Sequence, residues 1–145
     1  MIDAAQGGAV VDTMVVSWLF DDRLNPVADR YRELIGASPV LLAFQTVAEL
    51  RYGALRAGWG ELRRRRLDRL VAELTVVQPD DEMISACADL RDACRRIGHP
   101  LEGKVHDGDR WIAATAIRLR LPLVSHDGVF DATPGLRLLT SPTEV

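Results

Sequence analysis

The sequence predicts an α/β domain of three layers, with helices on both faces of a central, mostly parallel sheet of about four or five strands. Three observations predict it. Short Val- and Leu-rich runs recur along the chain, and segments with apolar residues at helical spacing separate them. In addition, 145 residues with 48% hydrophobic content can bury one core without disulfides or a structural metal. Strands that alternate with helices are joined by right-handed crossovers, which make the sheet parallel and cover both its faces. No internal repeat, low-complexity tract or linker divides the chain, so residues 1–145 read as a single domain.

Residues 9 to 16, AVVDTMVV, are the expected first strand, covered on both faces because Asp12 alone interrupts an apolar run. A polar stretch with Pro26 precedes a helical pattern from Val27 to Ile35, and Val40 to Phe44 is the second strand. From Thr46 a long helical pattern (Val47, Leu50, Ala54) breaks at Gly58 and Gly60, then resumes through an arginine run to Leu74, giving two helices in a hairpin. Leu74 to Val77 is a third strand ended by Pro79. Asp80 to Ile97 then repeats Met83, Ile84, Cys87, Leu90, Cys94 and Ile97 at helical spacing until Gly98 and Pro100. Asp109 opens a helix with the stripe Ile112, Ala113, Ala116 and Ile117, and Leu123–Ser125 and Leu136–Leu139 are the last strands.

Composition narrows the function. A formal charge of −3 argues against a generally basic nucleic-acid coat, yet residues 51–70 hold Arg51, Arg56, Arg63, Arg64, Arg65, Arg66 and Arg69 against Glu61 and Asp68. Such a run is most often a solvated helix face, with RNA-backbone or partner contact as the other reading. Cys87 and Cys94 fall about two helical turns apart, too far to bond each other, and read as core thiols of a reducing compartment. The N-terminus has no leader pattern, and no run reaches the roughly eighteen apolar residues of a membrane span. A soluble cytoplasmic protein is expected.

The chemistry rests on four acids at strand ends or helix starts: Asp12, Glu49, Asp109 and Asp127. In an open α/β sheet such positions gather at the carboxyl ends of the strands, where ligands bind. Converging carboxylates repel one another and lose hydration, and a divalent cation compensates both. Mg²⁺, or alternatively Mn²⁺, suits all-oxygen ligands; the thiolate or paired-histidine pattern of zinc is absent. Such a centre activates water against a phosphodiester. Structural readings compete. Thr46-Val47-Ala48-Glu49 also fits a capping box, Asp109 could be a helix-start acid with Asp107 its rival, and Asp127 sits in an ordinary turn. Asp12, inside a Val-rich strand, is the hardest to explain structurally. Thr13 and Ser125 are supporting hydroxyls, whereas His99, His106 and His126 are not at ligand spacing. Arg56 lies seven residues after Glu49, on the same side of a helix, and is assigned with Arg110 to substrate binding, against the commoner outcome of a solvated side chain.

The segments VVDTMVV, QTVAELRYGAL and DGDRWIAATAIRLRLPLVSHDGVFD, in that order, resemble the PIN-domain family, in particular the VapC toxins of bacterial toxin–antitoxin pairs. The resemblance spans nearly the whole chain and is most specific over DRWIAATAIRLRLPLVSHD. It implies a PIN-like fold, metal-binding roles for Asp12, Glu49, Asp109 and Asp127, and hydroxyl roles for Thr13 and Ser125. It further implies a Mg²⁺- or Mn²⁺-dependent endoribonuclease acting on RNA, a homodimer, and a VapB-like antitoxin. There are departures. Met14 and Gly108 stand where the family often has Asn, and Val129 stands before Phe130 where a further acid or Asn is frequent. Asp107 and Asp131 are extra acids with no assigned part. Two alternatives remain: a catalytically silent PIN-like interaction module, which four intact acids disfavour, and a receiver-like phosphoacceptor domain, disfavoured because the only lysine, Lys104, comes before the last two strands and none stands near the end.

Overall fold

A computed structural model describes residues 7–141. The readings that the chain is one domain over 1–145 and lacks a leader fall partly on residues 1–6 and 142–145, outside the described ones. Five short strands run through it: β1 (Ala9–Val11), β2 (Val40–Ala43), β3 (Thr75–Val77), β4 (Leu123–Val124) and β5 (Leu138–Leu139). The helices are α1 (Thr13–Phe20), α2 (Pro26–Ile35), α3 (Phe44–Arg56), α4 (Glu61–Ala72), α5 (Asp81–Ile97) and α6 (Asp107–Leu119). The strands form one sheet in the order β3-β2-β1-β4-β5, every neighbouring pair parallel.

Alternation along β1 divides the core into two layers. Ala9 and Val11 point to one face, where Val15 and Val16 of α1, Tyr31 and Ile35 of α2, Val47 and Ala54 of α3 and Leu67 and Val71 of α4 cover them. Val10 points to the other, against Leu90 and Cys94 of α5 and Ile112, Ala113 and Ala116 of α6. Gly8 lets β1 begin against the Pro39–Val40 backbone, since a Cβ there would lie 2.2 Å from the Pro39 carbonyl oxygen. Both thiols are free and buried in α5, and burial raises their pKa values. Among the described residues, no helix is long and apolar enough to cross a membrane.

The expected first strand is half helix. β1 stops at Val11, Asp12 caps α1, and Thr13 to Val16 form its first turn. The β-branched run has strand propensity, but burial decides: as a helical pair Val15 and Val16 both enter the core while Met14 and Ser17 face solvent. Two other starts moved in ways that bear on the acids. α3 begins at Phe44, so Thr46 lies inside the first turn and Glu49 beyond it, which removes the capping-box explanation of Glu49. α6 begins at Asp107, two residues before Asp109, and both acids sit in its first turn, where the helix dipole favours them.

Candidate metal centre

From β1 the chain builds β2 and β3 on one side and then returns to lay β4 and β5 on the other. β1 and β4 therefore flank the point where the strand order reverses, and the crevice beyond their carboxyl ends is where an open parallel sheet receives ligands. Asp12 stands at the end of β1 and Ser125 at the end of β4.

Asp12 is 6% exposed and fully engaged: Oδ1 accepts from the Thr13 amide at 2.7 Å and Oδ2 from the Ser125 hydroxyl at 2.7 Å. Burial pushes its carboxyl from the usual 3.8 up to about 6. The Ser125 and Thr13 hydrogen bonds oppose the rise, and the charges of Asp109 and Glu49 add to it. Among the described residues, its carboxylate makes hydrogen bonds to Thr13 and Ser125 and no ion pair with an arginine or lysine.

Glu49 reaches the same place from α3. Thr13 Oγ1 donates to its Oε2, and the Gln45 side-chain amide donates to Oε1 at 3.3 Å; Thr13 Oγ1 also lies 3.3 Å from the buried Thr46 hydroxyl. Gly108 makes room for this arrangement, because a Cβ there would lie 2.8 Å from Gln45 Nε2 and 3.0 Å from Glu49 Oε1. Gly108 thus leaves the Gln45 amide room to reach Glu49. Asp109, half-buried one residue further along α6, meets His106 Nδ1 at 2.9 Å through Oδ2.

Asp127 joins less directly. Its backbone N–H donates to Ser125 Oγ at 3.1 Å, while its exposed carboxylate turns to the Val129 amide at 3.0 Å and caps a short 3-10 turn. The structure therefore gathers Asp12, Thr13, Glu49, Asp109 and Ser125, with Asp127 at the rim. Sequence reasoning missed Gln45 and Thr46 and placed His106 only loosely. The i,i+4 spacing of Gln45 to Glu49 and the i,i+3 spacing of His106 to Asp109 were the available signals.

Arg110, assigned to substrate, is a correction. Only 4% exposed, it donates through Nη1 to the Leu101 carbonyl at 2.6 Å and the Gly103 carbonyl at 3.0 Å, and through Nη2 to Asp107. The guanidinium is consumed inside the fold because α6 turns that position toward the 100–106 loop, away from the carboxylates. Asp107 pairs with Arg110 through Oδ1 and is otherwise exposed. Asp131 is exposed beyond the 3-10 turn, its backbone carbonyl accepting from His99 Nε2 at 2.8 Å. His126 bonds the Tyr31 hydroxyl at 2.7 Å through Nδ1 and packs edge-on against Trp18. Arg56 is exposed in the last turn of α3, which suits a backbone contact.

The donor set suits a hard divalent ion: carboxylate and hydroxyl oxygens, with Asp12 carrying the electrostatic cost of two neighbouring carboxylates. Among the described residues, no three His, Cys, Asp or Glu side chains yet converge on a single point. Each carboxylate accepts from a neighbouring donor: Asp12 from Ser125, Glu49 from Thr13, Asp109 from His106 and Asp127 from Val129.

The chain is 25% identical over 118 residues to ribonuclease VapC1 of Haemophilus influenzae, covering 81% of this chain and 85% of that protein. It is 36% identical over 92 residues to ribonuclease VapC5 of Mycobacterium tuberculosis, covering 62% and 65%. VapBC2 from Rickettsia felis, solved bound to a DNA fragment from its promoter, shares the fold with a TM-score of 0.74 at 20% identity, over 91% of this chain and 97% of that one. The PIN domain model matches residues 9–136, from the first residue of the central strand to just short of β5, and by that match this chain belongs to the PIN-domain family.

Proposed function

We propose that this chain is a VapC-type ribonuclease toxin that hydrolyses RNA phosphodiester bonds at a centre of Asp12, Glu49, Asp109 and Asp127 with Mg²⁺ or Mn²⁺. One observation carries the reading: a buried aspartate at the switch point of the sheet, raised to about 6 by burial, with two further carboxylates, Asp109 and Glu49, acting on it. Structures that carry such a cost tend to be functional sites. The names of the relatives, ribonuclease VapC1 and ribonuclease VapC5, support RNA as substrate.

When bound, the ion supplies an activated water and neutralises charge on the phosphate oxygens. The chain's own residues do the rest. Ser125 and the Thr13 amide fix the rotamer of Asp12, and Thr13 and Gln45 fix Glu49. Asp127 stands at the rim, next to Ser125, where its carboxylate caps the turn through the Val129 amide. Arg56, one helix face along from Glu49, meets the phosphate backbone of the bound strand. A VapB-like antitoxin and a homodimeric toxin in the cytoplasm complete the proposal; the VapBC complexes among the structural neighbours support the antitoxin.

Cleavage of RNA by the purified chain tests this directly. Cleavage is expected with Mg²⁺ or Mn²⁺, and loss of cleavage with EDTA and in Asp12→Asn. Metal-independent cleavage, or an unimpaired Asp12→Asn variant, defeats the reading.

A further inference from the structure

Asp12 and Glu49 are each held by two donors, the Thr13 amide with Ser125 for one and Thr13 with Gln45 for the other. Asp109 has a single donor among the described residues, His106, whose Nδ1 lies 2.9 Å from Oδ2. A carboxylate can only accept, so Nδ1 carries the proton and Nε2 is left facing away from Asp109.

The imidazole itself does not hang on a loose loop. Its backbone N–H donates to the Gly103 carbonyl at 3.0 Å, and that same carbonyl accepts from the buried Arg110 guanidinium at 3.0 Å. Arg110 also takes the Leu101 carbonyl and pairs with Asp107, the residue that links His106 to α6. The loop before α6 is thereby pinned from inside by the side chain next to Asp109, and the pinned loop returns a ring to Asp109.

We infer that His106 is a positioning residue, which ties Oδ2 of Asp109 by hydrogen bond so that Oδ1 is presented to the divalent ion. The inference rests on the metal-centre reading above. Carboxylates that bind metal ions are commonly held by such outer hydrogen bonds, whose loss costs about 10–100-fold in metal affinity or activity. The ring is half-buried, 31% exposed, and bonds only Asp109 through its side chain among the described residues, so removing its donor leaves the fold in place.

Two variants separate donor from bulk. His106→Asn keeps an N–H at the same distance from the backbone as Nδ1, and His106→Leu keeps volume without a donor. The readouts are the Mn²⁺ concentration that half-saturates the rise in melting temperature, and kcat and KM for RNA at saturating Mn²⁺. For His106→Leu we expect the half-saturating Mn²⁺ to rise by about 10–100-fold with the metal-free melting temperature and KM little changed; His106→Asn recovers most of the loss. Equal Mn²⁺ affinity in wild type and His106→Leu, or an Asn variant as impaired as the Leu variant, overturns the inference while leaving the nuclease reading intact. A wild-type chain that neither responds to Mn²⁺ nor cleaves RNA overturns both.

Discussion

Ser125 donates a 2.7 Å hydrogen bond to Asp12 across 113 residues of sequence, joining the ends of two adjacent parallel strands. It holds down the pKa of an acid that burial drives up. Replacing it, Ser125→Ala, should raise the Asp12 pKa further and move the acid limb of the cleavage pH profile upward, with more metal needed for half-maximal rate. A pH–rate profile at fixed Mn²⁺ measures this, and an unmoved acid limb excludes the role.

Asp12 also ties stability to pH. Its folded-state pKa, about 6, lies above the usual 3.8, so between these values the folded chain holds more protons than the unfolded one. Its contribution is complete below about pH 4 and is lost as pH rises through about 6, a change of at most ~3 kcal/mol. In EDTA, the Asp12→Asn variant should therefore be more stable than wild type at pH 7.5, and the difference should shrink toward pH 4.5. Denaturant melts at the two pH values decide it.

The two arginines first grouped together should part company. Arg110→Met strips donors from the Leu101 and Gly103 carbonyls inside the fold and should cost about 3 kcal/mol by urea denaturation. Arg56→Ala, on an exposed turn, should leave stability unchanged but weaken RNA binding and make the slope of log K against log salt shallower by about 0.7. An Arg110 variant of normal stability, or an Arg56 variant with an unaltered salt slope, refutes the respective assignment.

Gly108→Ala tests the Gln45 contact with Glu49. Alanine favours the helix by up to about 1 kcal/mol over glycine, but its Cβ would press on the Gln45 amide and on Glu49. The expected variant is as stable as wild type or slightly more so, yet responds to Mn²⁺ more weakly because Gln45 is pushed from Glu49. Unchanged Mn²⁺ dependence would show that the Gln45 contact is dispensable.

The layers and the parallel sheet were legible in the sequence because apolar periodicity sets the elements, and Asp12 stood out because an acid in an apolar run has few excuses. The first turn of α1 was not, since Thr-Met-Val-Val reads as strand until the packing of Val15 and Val16 is known. Arg110 was misread for a related reason: its neighbour Asp109 faces the crevice, but one residue on a helix turns the side chain by about 100°, here into the interior. Gln45 and His106 were obscured because an amide or imidazole a turn away from an acid is common on any helix.

The central position of β1 has a consequence during synthesis. Only one of its two neighbours, β2, follows soon after it in the chain; the other lies at residues 123–124. At translation rates of about 5–20 residues per second, the ribosome takes several seconds or more to deliver that second neighbour. Until then the nascent polypeptide has neither Ser125 to seat Asp12 nor Asp127 at the rim, so the candidate centre is incomplete until the stretch after β4 has been made.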